Sequence, residues 1–168
     1  MKNLDKKTVE SFSDQWLKYD QSGMENKEAS KIFKSYFSIF PWSKLPKKAE
    51  GFDMGCGTGR WAKFVAPKVG KLHCIDPSNA IVVAKKKLRK FNNIKYHQKS
   101  LDNTGLKIKS QDFGYLLGVL HYVPDANAAI KSCSKLLKPG APLLLYIYYS
   151  LDNRPFWFKW LWNLSNVF

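Results

Sequence analysis

Short apolar runs alternate with segments of helical periodicity along most of the chain, and this alternation limits the available folds more than any other feature. The runs are apolar at consecutive positions, as expected of strands that are buried on both faces. Such strands, separated by helices, are typical of a parallel sheet with helices on both sides. The sequence therefore predicts an α/β fold with a doubly wound parallel sheet, whose strands are Ala49–Met54, Lys71–Ile75, Ile94–His97, Phe113–Leu120 and Leu143–Tyr149.

Three helices are predicted between these strands. The first begins at Arg60 and stops at Pro67, because proline lacks the N–H that a helix interior uses. The second is rich in lysine and is capped by the hydroxyl of Ser78. The third starts at Pro124-Asp125.

The N-terminal part of the chain also has a helical pattern. Gly23 separates a weaker helix, which contains Phe12, Trp16 and Tyr19, from a second one. The second helix has a single apolar stripe, formed by Ala29, Ile32, Phe33, Tyr36, Phe37 and Phe40. We therefore divide the chain into an N-terminal helical segment, residues 1–45, and an α/β domain, residues 46–168.

A glycine-rich turn follows the first predicted strand, in the run Asp53-Met54-Gly55-Cys56-Gly57-Thr58-Gly59. Glycines allow a tight turn and let a ligand approach the backbone, while the following helix offers free N–H groups. Asp76 ends the second strand, where a carboxylate can accept hydrogen bonds from both ribose hydroxyls. Together these features indicate a nucleoside site; the alternative is a tight turn with a structural role only.

The spacing of the glycines argues against a dinucleotide. A dinucleotide-binding turn has the pattern G-x-G-x-x-G, but the residue three positions after Gly57 is Arg60. The third glycine, Gly59, comes one position early.

Four motifs in order carry a resemblance to a known family. They are Gly51–Trp61, Cys74–Ser78, Gly118–Asp125 and Leu136–Ala141. The chain resembles class I S-adenosylmethionine-dependent methyltransferases, in the small-molecule branch related to ubiquinone- and menaquinone-biosynthesis methyltransferases. The resemblance covers residues 51–149 and implies a Rossmann-like domain that uses S-adenosylmethionine and releases S-adenosylhomocysteine.

The resemblance also implies a role for particular residues. Asp53 and the turn residues Gly55, Cys56, Gly57 and Gly59 would hold the methionine part of the cofactor. The adenosine would be bound through Asp76, Pro77, Ser78, Ser100, Leu101 and Asp102, although many relatives have an acid at the place of Ser100. Gly118 and Val119 would line the methyl-transfer side. In similar enzymes an N-terminal segment closes over the cofactor, so Trp16 or Tyr19 would contact it; the alternative is simple packing.

His121 is the candidate general base. It follows the fourth strand at the edge where ligands bind in open α/β sheets, and its neutral form could take a proton near pH 7. A base is needed only where the acceptor loses a proton. The alternative, which we favour, is that His121 packs or forms a hydrogen bond beside the cofactor. Tyr122 and Tyr19 are weaker candidates for shaping an acceptor pocket.

The positive charge makes nucleic acid a candidate partner but does not establish it. The chain has 28 Lys and Arg against 13 Asp and Glu, a net charge of +15. Almost all of the excess is lysine, whereas a dedicated nucleic-acid reader usually carries more arginine. The run from Lys85 to Lys90 is expected to be the solvated face of a helix. We expect no specific nucleic-acid partner.

The C-terminal segment and the cysteines bear on the completeness and the location of the domain. The resembling family has seven strands and this chain supplies five, so we expect an incomplete domain whose last strand leaves an unpaired edge open to association. The apolar segment Phe156–Phe168 is expected to cover the fifth strand, with interfacial membrane contact as the alternative.

Three cysteines without C-x-x-C spacing suggest neither disulfides nor a metal site, and no signal peptide or membrane span is evident, which indicates the cytoplasm.

Three functions remain open from the sequence. The first is methyl transfer from S-adenosylmethionine to a small-molecule acceptor. The second is cofactor binding without catalysis, by a fragment or a partner subunit, which turnover would distinguish from the first. The third is a nucleic-acid methyltransferase or binder, which would lose affinity steeply with salt.

Overall fold

The computed structural model describes residues 3–5, 7–11, 13, 26–148, 154–158 and 160. Trp16 and Tyr19, the predicted lid contacts, lie outside this set, as do Tyr149 and residues 161–168. Residues 7–11 and 13 are helical.

A parallel sheet of five strands forms the centre of the molecule. Its strands are β1 (Glu50–Met54), β2 (Lys71–Ile75), β3 (Ile94–His97), β4 (Phe113–Leu117) and β5 (Leu143–Tyr146). They lie in the order β3-β2-β1-β4-β5, and every neighbouring pair is parallel. The chain therefore reverses its direction of winding between β1 and β4, the place where open α/β sheets bind their ligands. The predicted doubly wound fold is confirmed.

Helices cover both faces of the sheet. They are α1 (Asn26–Tyr36), α2 (Ala62–Val65), α3 (Ala80–Lys87) and α4 (Ala126–Leu136). On one face Phe33 of α1, Val65 of α2 and Ile81 of α3 join a buried cluster with Leu72 and Tyr115 of the sheet. On the other face α4 packs its apolar stripe, Ala129, Cys133 and Leu136, against Phe52 and Leu116. Each layer buries its apolar stripe against the sheet, which is the main stabilising term in such a fold.

Several predicted boundaries were wrong by a few residues. The fourth strand ends at Leu117 and not at Leu120, because Gly118 takes a φ of +73° and the chain turns into a short 3-10 helix, Leu120–Tyr122. The fifth strand ends at Tyr146. The helix predicted from Arg60 is shorter than expected and continues as a 3-10 turn at Ala66–Lys68, which accommodates Pro67 near its start.

The start of α3 also differs from the prediction, whereas the start of α4 does not. Asn79, not Ser78, is the residue that precedes α3, although the Ser78 hydroxyl still accepts the Ala80 N–H at 3.3 Å. Asp125 caps α4 through a bond from the Ala128 N–H at 2.9 Å. Both polar side chains satisfy N–H groups that lack a partner within the helix.

Of the apolar segment Phe156–Phe168 the structure describes positions 156–158 and 160, all of them helical. Phe156 is 85% exposed, and Trp157 and Trp160 are also exposed, while the rest of the segment expected to cover β5 lies outside the described residues. In the described part of the chain β5 pairs with β4 alone. No helix among the described residues is long and apolar enough to cross a membrane.

Candidate cofactor and acceptor site

The glycine turn is fastened to the end of the neighbouring strand. The N–H groups of Gly55 and Cys56 both donate to the carbonyl oxygen of Ile75, the last residue of β2, at 2.7 and 3.1 Å. Gly55, Gly57 and Gly59 all have a positive φ, between 51° and 79°. The turn therefore needs glycine for its backbone conformation, as the sequence indicated.

The three glycines differ in what surrounds them. A Cβ on Gly55 would lie 2.4 Å from Val119, and one on Gly59 would lie 2.5 Å from Leu88, so both positions are closely packed. A Cβ on Gly57 would meet no atom within 4 Å. The turn is thus packed from beneath at its two ends and has open space above Gly57.

Asp76 connects this turn to the residues after β2. One carboxylate oxygen accepts the Gly57 N–H at 2.8 Å, and the other accepts the N–H and the hydroxyl of Ser78 at 2.9 and 2.5 Å. The side chain is buried, with half-buried Pro77 beside it. Because an ionised carboxylate offers about four acceptor positions, these three bonds leave capacity for a further donor.

Asp53 lies beneath the turn and is bonded to the neighbouring strand. It is 2% exposed, and the hydroxyl of Tyr115 in β4 donates to its carboxylate at 2.9 Å. Burial raises the pKa of Asp53 to about 8, a shift that the Tyr115 bond opposes and the nearby charge of Asp76 reinforces. At neutral pH this carboxyl group is therefore protonated in much of the free protein.

Cys56, within the turn, is a small packed side chain. It is buried, and burial raises the pKa of its thiol well above the ordinary value, with a further contribution from Cys74. A thiol in this environment is not a nucleophile at neutral pH.

The loop after β3 supplies a second polar group close to the sheet edge. Ser100 is buried, and its hydroxyl has no hydrogen-bond partner among the described residues. Leu101 beside it is buried, and Asp102 is exposed. A buried hydroxyl without a partner is costly, so a bound ligand or water is the expected partner.

The first described residues run across the loops at this edge. The Asn3 side chain forms two hydrogen bonds with the backbone of Asp125, at 2.7 and 2.8 Å. The backbone N–H of Asn3 donates to the Asp102 carboxylate at 2.9 Å. Ten residues further on, the Ser13 hydroxyl accepts the Asn79 N–H at 3.2 Å. The N-terminal segment therefore joins the loops that follow β2, β3 and the turn after β4.

Aromatic side chains occupy the edge near the ends of β4 and β5. His121 stacks on Tyr148 with ring centroids 4.1 Å apart, and its Nε2 accepts the Tyr148 N–H at 3.2 Å. Tyr146 stacks on Tyr36 of α1 at 4.3 Å, and Tyr36 meets Trp61 edge-on. We call these five side chains the aromatic row. Burial and the Tyr146 contact raise the pKa of Tyr36 to about 12, so it stays a neutral phenol.

Gly118 and Val119 lie between the glycine turn and the aromatic row. Val119 packs beneath Gly55, and the nearest atom to a Cβ on Gly118 would be the Tyr148 hydroxyl at 3.8 Å. Tyr122 is exposed and meets the ring of His121 edge-on. The residues proposed for the two halves of the site are therefore neighbours.

The other two histidines lie elsewhere, in β2 and β3. His73 bonds to Glu50 and to His97, each at 2.8 Å, along one face of the sheet. Among the described residues no group of three or more His, Cys, Asp or Glu side chains could hold a metal ion.

Comparison with known proteins agrees with this geometry. Residues 52–143, more than half of the chain, match a family model described as a methyltransferase domain. The chain belongs to this methyltransferase family.

Individual relatives are more distant. The chain is 26% identical over 156 residues to a ubiquinone biosynthesis O-methyltransferase of Coxiella burnetii, and 30% identical over 103 residues to one of Xanthomonas axonopodis. These matches cover 92% and 60% of this chain but 65% and 43% of the relatives. The chain thus spans less than two thirds of their length.

Solved structures confirm the fold of this methyltransferase domain. The CurJ carbon methyltransferase matches with a TM-score of 0.69 at 18% identity, covering 88% of this chain and 43% of CurJ. A SAM-dependent methyltransferase from Aquifex aeolicus matches with a TM-score of 0.52 at 19% identity, covering 69% of each chain.

Sequence reasoning missed two polar residues of this methyltransferase domain. Tyr115, the partner of Asp53, stands directly opposite it in the β1–β4 register, so the strand order would have revealed the pair. Asn3 is 122 residues from Asp125, and no local pattern marks such a contact.

Proposed function

We propose that this chain binds S-adenosylmethionine over the glycine turn and transfers its methyl group to a small-molecule acceptor. The observation that carries the proposal is the Asp76 carboxylate at the end of β2, which accepts the Gly57 N–H of the turn after β1, beside the point where the sheet changes its winding direction between β1 and β4. In this proposal the carboxylate accepts the ribose hydroxyls, directly beside a turn with open space above Gly57.

The residues present fit such a cofactor. The space above Gly57 admits a ligand to the backbone, and the buried Ser100 hydroxyl requires a polar partner. Asp76 retains acceptor capacity beyond its three bonds. We assign the methionine part to Asp53 and the turn, and the adenosine to the segments 76–78 and 100–102, with the N-terminal helical segment, which bonds to this side through Asn3 and Ser13, as the lid.

Methyl transfer requires the protein mainly to align the acceptor with the methyl group. S-adenosylmethionine supplies a methyl group on a sulfonium, which is already activated for displacement. The protein therefore has to hold the acceptor in line with that methyl group and exclude water. We assign this task to Gly118, Val119 and the aromatic row, since Val119 packs against Gly55 of the turn and the Tyr148 hydroxyl is the nearest atom to Gly118.

His121 has a positioning role in this proposal. Its Nε2 accepts the Tyr148 N–H, so the proton of the neutral ring is on Nδ1. To act as a base through Nε2 it would first have to give up that bond. We therefore assign to it the orientation of Tyr148.

A small-molecule acceptor in the cytoplasm completes the proposal. The named O-methyltransferase relatives support the acceptor class, and the aromatic row offers flat apolar surface to such a molecule. Three free cysteines, all buried, fit a reducing compartment.

The test is calorimetric titration of the chain with S-adenosylhomocysteine. We expect saturable one-to-one binding that Asp76→Ala weakens by about tenfold or more, because charge-assisted hydrogen bonds to the ribose are lost. Asp112→Ala, at a carboxylate near the start of β4, is the matched control and should leave the affinity unchanged. Absence of binding by a folded chain would refute the proposal, and binding without turnover in an acceptor screen would support a non-catalytic cofactor-binding role.

A further inference from the structure

A small basic cleft adjoins the glycine turn at Thr58 and Gly59. It has a volume of about 140 Å³ and lies between the start of α2 and the residues that follow α3. Thr58 and Gly59 form its upper wall, and Leu88 and Phe91 its apolar walls. We call it the basic cleft.

Four cations converge on the basic cleft from two separate segments of the chain. Arg60 and Lys63 come from the start of α2, and Lys87 and Lys90 come from the end of α3 and the turn after it. Among the described residues, none of those lining the cleft carries a carboxylate. Burial lowers the pKa of Lys63, and the positive charges of Lys87, Arg60 and Lys90 lower it further.

Aromatic rings hold three of these cations in place. The Arg60 guanidinium lies 5.4 Å from the centre of the Trp61 ring, and Lys63 and Lys90 lie 4.8 and 5.2 Å from Phe64 and Phe91. Such contacts restrain side chains that would otherwise extend into solvent.

Other cations of the same region do not take part. Lys85, Lys86 and Arg89 belong to the same lysine-rich run but are exposed and do not line the cleft. Lys87 and Lys90 are exposed as well, as the sequence predicted for the whole run, and they differ only in lining the cleft together with Arg60 and Lys63.

We propose that the basic cleft, which shares Thr58 and Gly59 with the glycine turn, is a second binding site, for one phosphate group. Its size supports a single group, because sites for whole drug-sized ligands have volumes of about 300–1,000 Å³. An anion with two or more charges would offset the mutual repulsion of the four cations. The group is carried either by a soluble phosphate ester or by a nucleic-acid strand, which share this chemistry.

The experiment compares two double variants that remove the same charge. Lys63→Gln/Lys90→Gln alters the basic cleft, and Lys85→Gln/Lys86→Gln alters a part of the run that does not line the cleft. Each protein, after thermal unfolding has shown that it is folded, is titrated with inorganic pyrophosphate at constant ionic strength and, separately, with a short single-stranded RNA. Lys90→Gln alone replaces the first double variant if that variant does not fold.

We expect the cleft variant to bind about tenfold or more weakly, as for the removal of charge-assisted hydrogen bonds, and the control variant to stay within about twofold of the parent. Pyrophosphate binding without RNA binding would assign a soluble ester, and RNA binding would assign a strand. In the RNA arm the slope of log K against log salt should fall by roughly 0.7 for each phosphate that the variant no longer neutralises. Equal losses of affinity in both variants, or binding in neither arm, would overturn the proposal.

Discussion

The two halves of the site are built in different ways. On the cofactor side a buried carboxylate, a glycine turn and a strand end are joined by short backbone hydrogen bonds, such as Asp76 to Gly57 and Gly55 to Ile75. On the acceptor side the aromatic row comes from distant segments and is held mainly by ring contacts, with Tyr148 57% exposed. The first half is held by hydrogen bonds between the ends of neighbouring strands, and the second depends on packing between remote elements.

The difference in packing predicts the largest effect within the turn. Gly55→Ala should lower the free energy of unfolding by roughly 3 kcal/mol. The alanine would be strained by the positive φ of this position, and its Cβ would lie only 2.4 Å from Val119. Gly57→Ala, with open space around its Cβ, should cost roughly 1 kcal/mol from strain alone. Urea unfolding of the two variants measures both. Equal losses of stability would show that the turn is not packed as described.

The buried carboxylate of the cofactor side predicts a dependence of stability on pH. Because the pKa of Asp53 rises from 3.8 to about 8 on folding, the folded state favours the protonated form. Its contribution to stability is present below pH 4 and is lost as the pH rises towards 8, by at most about 1.4 kcal/mol per pH unit.

Asp53→Asn cannot ionise and should remove this part of the pH dependence. The measurement is the free energy of unfolding of the parent and the variant at several values between pH 4 and pH 8. Parallel pH profiles for the two proteins would contradict the assigned burial of Asp53.

Asn3 links the N-terminal segment to the cofactor side, and its removal should have a moderate effect. Asn3→Ala removes the two side-chain bonds to Asp125, each worth roughly 0.5–1.5 kcal/mol, so S-adenosylhomocysteine affinity should fall by about tenfold. Calorimetry measures this, with Thr8→Ala as a control in the same segment, since its hydroxyl bonds to nearby Asp5. Identical affinities for the parent and Asn3→Ala would show that the N-terminal segment does not contribute to binding of the cofactor.

The acceptor side predicts the smallest effect on the cofactor. His121→Phe keeps a ring over Tyr148 but loses the acceptor for its N–H, which should cost about 1 kcal/mol of stability. S-adenosylhomocysteine affinity should stay within about twofold of the parent, because no cofactor-side bond changes. A large loss of affinity in calorimetry would show that the two halves are not independent.

The same contrast explains what the sequence could reveal. The bounds of β2 and β3, the Asp125 cap and the Asp76 position were predictable, because apolar runs, turn residues and caps act over a few neighbouring positions. The end of β4 was not, since it depends on the positive φ of Gly118. The pairing of Tyr36 with Tyr146, or of Asn3 with Asp125, joins positions more than a hundred residues apart, and such contacts require the tertiary fold.

The most direct test of the cofactor site is an NMR titration of the amide signals with S-adenosylhomocysteine. The account predicts that the largest changes occur at Gly57, Asp76 and Ser100, with much smaller ones at the Lys63 and Lys90 amides of the basic cleft. Changes centred on the basic cleft, or none near Gly57 in a protein that binds the ligand, would contradict the assignment of the cofactor to the glycine turn.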